Sequence, residues 1–171
     1  MNARAIEKLR ALKGREETKP ILVIVSDAAE SERFIAQRTD AFATLAASHW
    51  PGALTLVAQA REEVPTLLTA STGTIGVRLP ADNAVRDLVR ECGGALTATS
   101  ANPSTCPPAR TAVEVENYFS DMLVLIVDGG SSAASTQPST VVDVSGEVVQ
   151  LIRAGAVGWD ELQITLKTCR Q

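Results

Sequence analysis

Apolar positions along the chain recur with two different periods. Ile6, Leu9 and Leu12 return every three residues among Lys, Arg, Glu and Ala, which predicts a helix over 2–13 that Gly14 ends. The unbroken run Ile21 to Val25 predicts a strand covered on both faces. Asp27 or Ser31 then caps a helix carrying Phe34 and Ile35, and a second helical piece spans Asp40 to Ala47, ending near His49-Trp50-Pro51-Gly52. Ala53 to Ala58 reads as a buried strand, Val64 to Ala70 as a short helix, and Thr74 to Leu79 as another strand. Pro80 and Asp82 open a helix through Val85, Leu88 and Val89, closed by Gly93-Gly94.

Ala95 to Ala98 reads as a short buried strand that breaks into hydroxyls. Thr111, with Glu114 three residues on, has capping-box spacing and predicts a further helix. Leu123 to Val127 reads as the next buried strand, ended by Asp128-Gly129-Gly130, and Ser131 to Ser139 as a small, polar loop. Thr140 to Val144 and Glu147 to Ile152, flanking Ser145-Gly146, predict a hairpin, and Trp159 to Lys167 a last helix. Strands alternating with helices predict an α/β fold, a mixed sheet with helices packed against it. With 171 residues, no internal repeat and no long linker, one domain over 1–171 is expected.

Charge and cysteine content narrow the classes. A formal charge of −4 and a pI near 5.1 argue against a broad basic surface for nucleic acid. The distribution is uneven, because Arg4, Lys8, Arg10, Lys13, Arg15 and Lys19 put six cations into the first nineteen residues against three carboxylates. Such a run is either a solvated helix face or an edge that meets an anion. Cys92, Cys106 and Cys169 have no C-x-x-C spacing, so a disulfide framework or zinc site is not expected and a reducing cytoplasm is. No apolar run approaches the roughly 20 residues that span a bilayer, and the first residues carry no apolar signal region.

The candidate chemistry lies in a few short stretches. Thr99, Ser100, Asn102 and Ser104 follow the strand 95–98, with Pro103 forbidding helical continuation at Asn102. Hydroxyls, an amide and free backbone N–H groups gathered there suit phosphate or carboxylate oxygens, or simply a turn that satisfies its own backbone. Lys13-Gly14-Arg15 sets two cations at a helix end, where the helix dipole alone also favours them. Arg78 stands inside an apolar strand and must meet a carboxylate, a phosphate or a substrate; Arg153 poses the same question. The only histidine, His49, lies beside Trp50-Pro51 and reads as structural.

Taken in order, K-G-R, W-P-G-x-L-T-L, G-V-R-L-P, T-S-A-N-P-S, S-T-V-V-D and I-R-x-G resemble the YrdC-like threonylcarbamoyl-AMP synthase family from about Asn2 to Val157. The family's K-x-R…S-x-N motif falls on Lys13, Arg15, Ser100 and Asn102. The resemblance implies a YrdC-like twisted, mixed open sheet and synthesis of threonylcarbamoyl-AMP and pyrophosphate from L-threonine, bicarbonate and ATP, ATP bringing Mg2+ without a dedicated protein metal site. It implies Lys13 and Arg15 as catalytic groups. Lys13, Arg15, Ser100, Asn102, Ser104 and Arg153 would contact ATP, and Arg78 and Ser139 would contact threonine. The product would pass to the tRNA threonylcarbamoyl-transfer machinery for t6A.

Two departures stand out. The family's P-T-x-T-x-Y-G-L strand and loop, which precede the K-G-R helix, have no counterpart here, so the fold is expected to be N-terminally truncated, with an unsatisfied edge or apolar face. Thr105 stands where a glycine usually follows S-A-N-x-S. A truncated paralogue that binds nucleotide, double-stranded RNA or tRNA without catalysis is the alternative, and a homodimer that supplies the missing strand is a further expectation. Lys13, Arg15, Ser100 and Asn102 act together only if distant segments converge.

Overall fold

The computed structural model describes residues 2–14, 20–132 and 137–168. The helices are α1 (Ala3–Lys13), α2 (Asp40–His49), α3 (Thr66–Thr69), α4 (Asn83–Glu91), α5 (Ala112–Phe119) and α6 (Trp159–Thr168). The strands are β1 (Leu22–Val25), β2 (Leu54–Gln59), β3 (Thr74–Arg78), β4 (Ala95–Ala98), β5 (Thr140–Asp143) and β6 (Gln150–Arg153). They form one six-stranded sheet in the order β4-β1-β3-β2-β5-β6. The β1/β3 and β2/β5 pairs are parallel and the other three antiparallel, so the sheet is mixed, as the alternating pattern and the terminal hairpin predict.

Side-chain capping sets the helix starts. Asn2, Thr39, Asp82 and Thr111 each accept a backbone N–H from the first turn of α1, α2, α4 and α5. At α5 the predicted cap forms, Thr111 Oγ1 accepting from Glu114 N, while Glu114 Oε2 reaches back one residue beyond the cap and accepts from Arg110 N. Gly14, at φ 55°, ends α1 in the left-handed conformation that glycine adopts at no steric cost.

The strand register divides the sheet into two unlike faces. Val23, Val25, Leu54, Leu56, Ala58, Ile75, Val77 and Val142 lie on one face, all buried in a core shared with Ile6, Phe42, Leu45, Leu68 and Leu162. Burying one such side chain fully contributes roughly 1.5–3 kcal/mol. The other face is only partly covered. One row across it runs Leu96–Ile24–Arg78, continues through Thr55 to Val141, and ends at Arg153. The next row runs Ala98–Leu22, then Gly76–Val57–Asp143–Gln150. Ile21 to Val25 is therefore fully buried on one face only, since Leu22 and Ile24 on the other stay partly exposed.

Other expectations change as well. β4 is an edge strand of half-buried residues, since only β1 pairs with it. Residues 29–33 form a 3-10 turn in place of the predicted helix, with Asp27 Oδ1 accepting from Glu30 N. Leu123 to Val127 is neither strand nor buried: Val124, Leu125 and Val127 are exposed. β-Propensity alone supplies no ladder partner, and other segments form every strand of the sheet. Among the described residues no helix is long and apolar enough to cross a membrane.

Candidate active site

Three pairs of segments are joined through the predicted site residues. The first pair joins the end of α1 to the loop after β4. Lys13 Nζ donates to Ser100 O at 2.6 Å, to Asn102 Oδ1 at 2.8 Å and to Asn102 O. In return Ser104 N donates to Lys13 O at 2.9 Å. Asn102 Nδ2 donates to Cys106 O, so both ends of the Asn102 amide are engaged within the protein. Lys13 and Asn102 are 4% and 7% exposed, whereas Ser100 and Ser104 face solvent. Arg15 lies outside the described residues.

The second pair joins the W-P-G turn to β3. Arg78 Nε donates to Gly52 O at 2.9 Å, and Gly52 N donates to Leu79 O at 2.9 Å. A side chain on Gly52 would collide with the His49 carbonyl, so the turn that presents this carbonyl requires glycine. Burial lowers the Arg78 pKa from its ordinary value, and the positive charge of Arg153 lowers it further.

The third pair joins β5 to β6. Arg153 donates to Ser139 O through Nη2 at 2.7 Å and Nε at 3.2 Å, and to Ser139 Oγ through Nη2 at 3.0 Å. Ser139 Oγ also lies 2.9 Å from Thr55 Oγ1, and both side chains are buried. Arg78 and Arg153 thus sit in one row of the open face, each repelled by the other. Among the described residues neither forms an ion pair with a carboxylate. Two like charges so placed favour a bound anion.

Between these groups the floor is low and apolar. Gly76 is buried there, and a β-carbon on it would stand 3.3 Å from Thr55 Cγ2 and 3.5 Å from Leu22 Cβ, so the glycine permits a close approach of its neighbours. A separate cleft of about 510 Å3 between α1 and α3 is lined by Glu7, Arg10, Thr66 and Leu67, and none of the predicted site residues lines it. Arg10 in that cleft donates to Leu67 O, so this cation of the amino-terminal run is buried and tethers α1 to α3. Among the described residues no group of three or more His, Cys, Asp or Glu is arranged to hold a metal ion.

The family profile described as "Telomere recombination", that of Sua5, YciO and YrdC, matches residues 1–155. The chain belongs to the Sua5/YciO/YrdC family. It is 36% identical over 151 residues to the threonylcarbamoyl-AMP synthase of Idiomarina loihiensis, covering 86% of this chain and 80% of that protein. It is 35% identical over 128 residues to that of Halorhodospira halophila, covering 75% and 67%. Among solved structures, Pyrococcus abyssi Sua5 complexed with L-threonine superposes with a TM-score of 0.91 at 28% identity, covering 96% of this chain and 48% of that one. The chain thus spans about half the length of that protein. Escherichia coli YciO, at 21% identity and a TM-score of 0.81 over 94% of this chain and 77% of that one, shares the fold.

Sequence reasoning singled out Lys13, Ser100, Asn102, Ser104, Arg78, Ser139 and Arg153 but missed what holds them. Thr55, Gly52, Gly76 and Gly155 are the additions. A hydroxyl within the apolar run Leu54–Ala58 was the available signal for Thr55. For the glycines there was only their place inside the motifs.

Proposed function

We propose that the protein is an L-threonylcarbamoyladenylate synthase, acting as one domain over residues 1–171 in the cytoplasm. One observation carries the reading: Arg78 and Arg153, without carboxylate partners among the described residues, share one face of the sheet, Arg153 holding Ser139, in a chain whose curated relatives are named threonylcarbamoyl-AMP synthase. Threonine enters with its carboxylate on Arg78. Its amine combines with bicarbonate, losing water, to give an N-carboxylate. One oxygen of that group attacks the α-phosphorus of ATP, the bond from that phosphorus to the bridging oxygen breaks, and pyrophosphate leaves with its electron pair. No side-chain nucleophile is needed, so the protein contributes position and positive potential.

Ser100 and Ser104 meet the phosphates from the α1/β4 side, on a loop that Lys13 and Asn102 shape, and Arg153 meets them from the β6 side; the family motif makes Arg15 a further phosphate contact. Ser139 lies at the junction of threonine and triphosphate. Mg2+ accompanies ATP as part of the substrate, held by phosphate oxygens. The product, an activated carbamoyl-adenylate, then serves a tRNA threonylcarbamoyl-transfer enzyme making t6A.

Purified protein incubated with labelled bicarbonate, L-threonine and ATP is expected to release pyrophosphate and accumulate the labelled adenylate, and to do neither without threonine. A folded preparation that forms neither product would overturn the reading.

A further inference from the structure

We propose that Lys13 is a positioning residue: it acts on the substrate through the loop 100–106 and does not touch the substrate itself. The inference rests on the synthase reading and refines the role of one residue within it. An ammonium carries three protons and accepts nothing. Around Lys13 Nζ stand Ser100 O, Asn102 O and Asn102 Oδ1, with Ser100 Oγ more distant at 3.5 Å, and the residue is 4% exposed. Each proton therefore already has an acceptor inside the protein, and a phosphate oxygen could gain one only by displacing a buried carbonyl from its donor. Leaving such an acceptor unsatisfied is costly.

The same contacts explain the shape of the loop. Lys13 grips it at Ser100 and Asn102 through the ammonium and at Ser104 through its own carbonyl. Asn102 passes the constraint on to Cys106 through its amide nitrogen. Lys13 and Asn102 are buried, whereas Ser100 and Ser104 are exposed, Ser100 keeping its Oγ 3.5 Å from Lys13 Nζ. The charge of Lys13 remains beneath the loop and gives those hydroxyls a cationic backing in a medium less polarisable than water. Only a tetrahedral head on a flexible stem gathers three oxygens to one point, whereas a planar guanidinium spreads its donors along a fork.

That difference supplies the test. In Lys13→Arg and Lys13→Met, amide exchange of Asn102 and Ser104 without any ligand is expected to accelerate at least tenfold over wild type. The KM for ATP is expected to rise roughly tenfold in both, with kcat falling less than threefold. Ser100→Ala is expected to raise the KM for ATP severalfold alone but less than twofold in the Lys13→Met background. A residue that touches phosphate gives the opposite pattern: Lys13→Arg keeps near wild-type KM, loop exchange stays unchanged, and the two substitutions multiply. If Lys13→Met does not fold, the Lys13→Arg exchange and KM values decide. Wild-type protein that makes no adenylate would overturn the synthase reading, and the proposal about Lys13's action on substrate with it; accelerated loop exchange would then report only a structural tie.

Discussion

Gly155 packs against the backbone of Ser139 so closely that a β-carbon on Gly155 would stand 2.5 Å from the Ser139 carbonyl carbon. No backbone pair tolerates that distance, and the neighbour is main chain that cannot rotate away. Ser139 is thereby fixed from behind by Gly155 and from the front by Arg153. Gly155→Ala should push residues 138–140 outward, costing about 1–3 kcal/mol in stability. It should also raise the KM for threonine and for ATP together. Thermal melting and steady-state kinetics on the one variant check both effects; an unchanged KM for both substrates would refute the claim that Ser139 is set by this contact.

Arg78 carries a charge that burial and Arg153 both disfavour. Its folded pKa is lowered below its ordinary value, so stability linked to this group rises as pH climbs through the folded pKa. That window lies toward strongly alkaline pH, and at neutral pH the burden is constant. Arg78→Met removes this burden but also removes the bond to Gly52 O. The two changes oppose each other, and the ligand-free melting temperature should move by less than about 4 °C. Threonine-dependent pyrophosphate release should fall at least tenfold all the same. A full rate in this variant would count against Arg78 as the carboxylate site.

A side chain at Gly76 has little room. In Gly76→Val the new methyl groups must displace Thr55 Cγ2, Leu22 or an incoming ligand. Expected is a destabilisation of about 1–3 kcal/mol together with a severalfold or greater rise in the KM for ATP. Isothermal titration with ATP reads this directly, and unchanged affinity would place the nucleotide elsewhere than on this face.

His49 serves the fold. Its Nε2 lies 3.0 Å from Thr165 Oγ1, and its Nδ1 lies 3.6 Å from Glu161 Oε1, so it ties α2 to α6. His49→Ala should destabilise the protein by about 0.5–1.5 kcal/mol and speed amide exchange in α6. The rate of adenylate formation at 25 °C should stay near that of wild type. A large loss of rate with α6 still protected would give this residue a role that its position does not suggest.

Much of this was legible in the sequence because particular residues conflict with their surroundings. Arg78 within Ile75-Gly76-Val77 and the hydroxyls after Ala98 break an apolar pattern; Arg78 lies on the open face and the hydroxyls follow the edge strand β4. What the pattern did not carry were long-range partners. The carbonyl that receives Arg78, and those of Ser100 and Asn102 that receive Lys13, belong to backbone, which every residue has. Leu123 to Val127 shows the opposite failure: its composition suits a strand, yet pairing depends on a neighbour that propensity cannot name. β4 misled for the same reason, since an edge and a centre differ only in how many strands lie alongside.

The two unlike faces of the sheet imply a parity rule for tolerance along β3. Substitutions at Ile75 and Val77 should lower the melting temperature first, because those side chains are sealed in the interior. Substitutions at Arg78, and the smallest one at Gly76, should damage turnover first. A saturation library sorted separately for folding and for activity would then show the two defects interleaved residue by residue, like teeth of two combs meshed along a single strand.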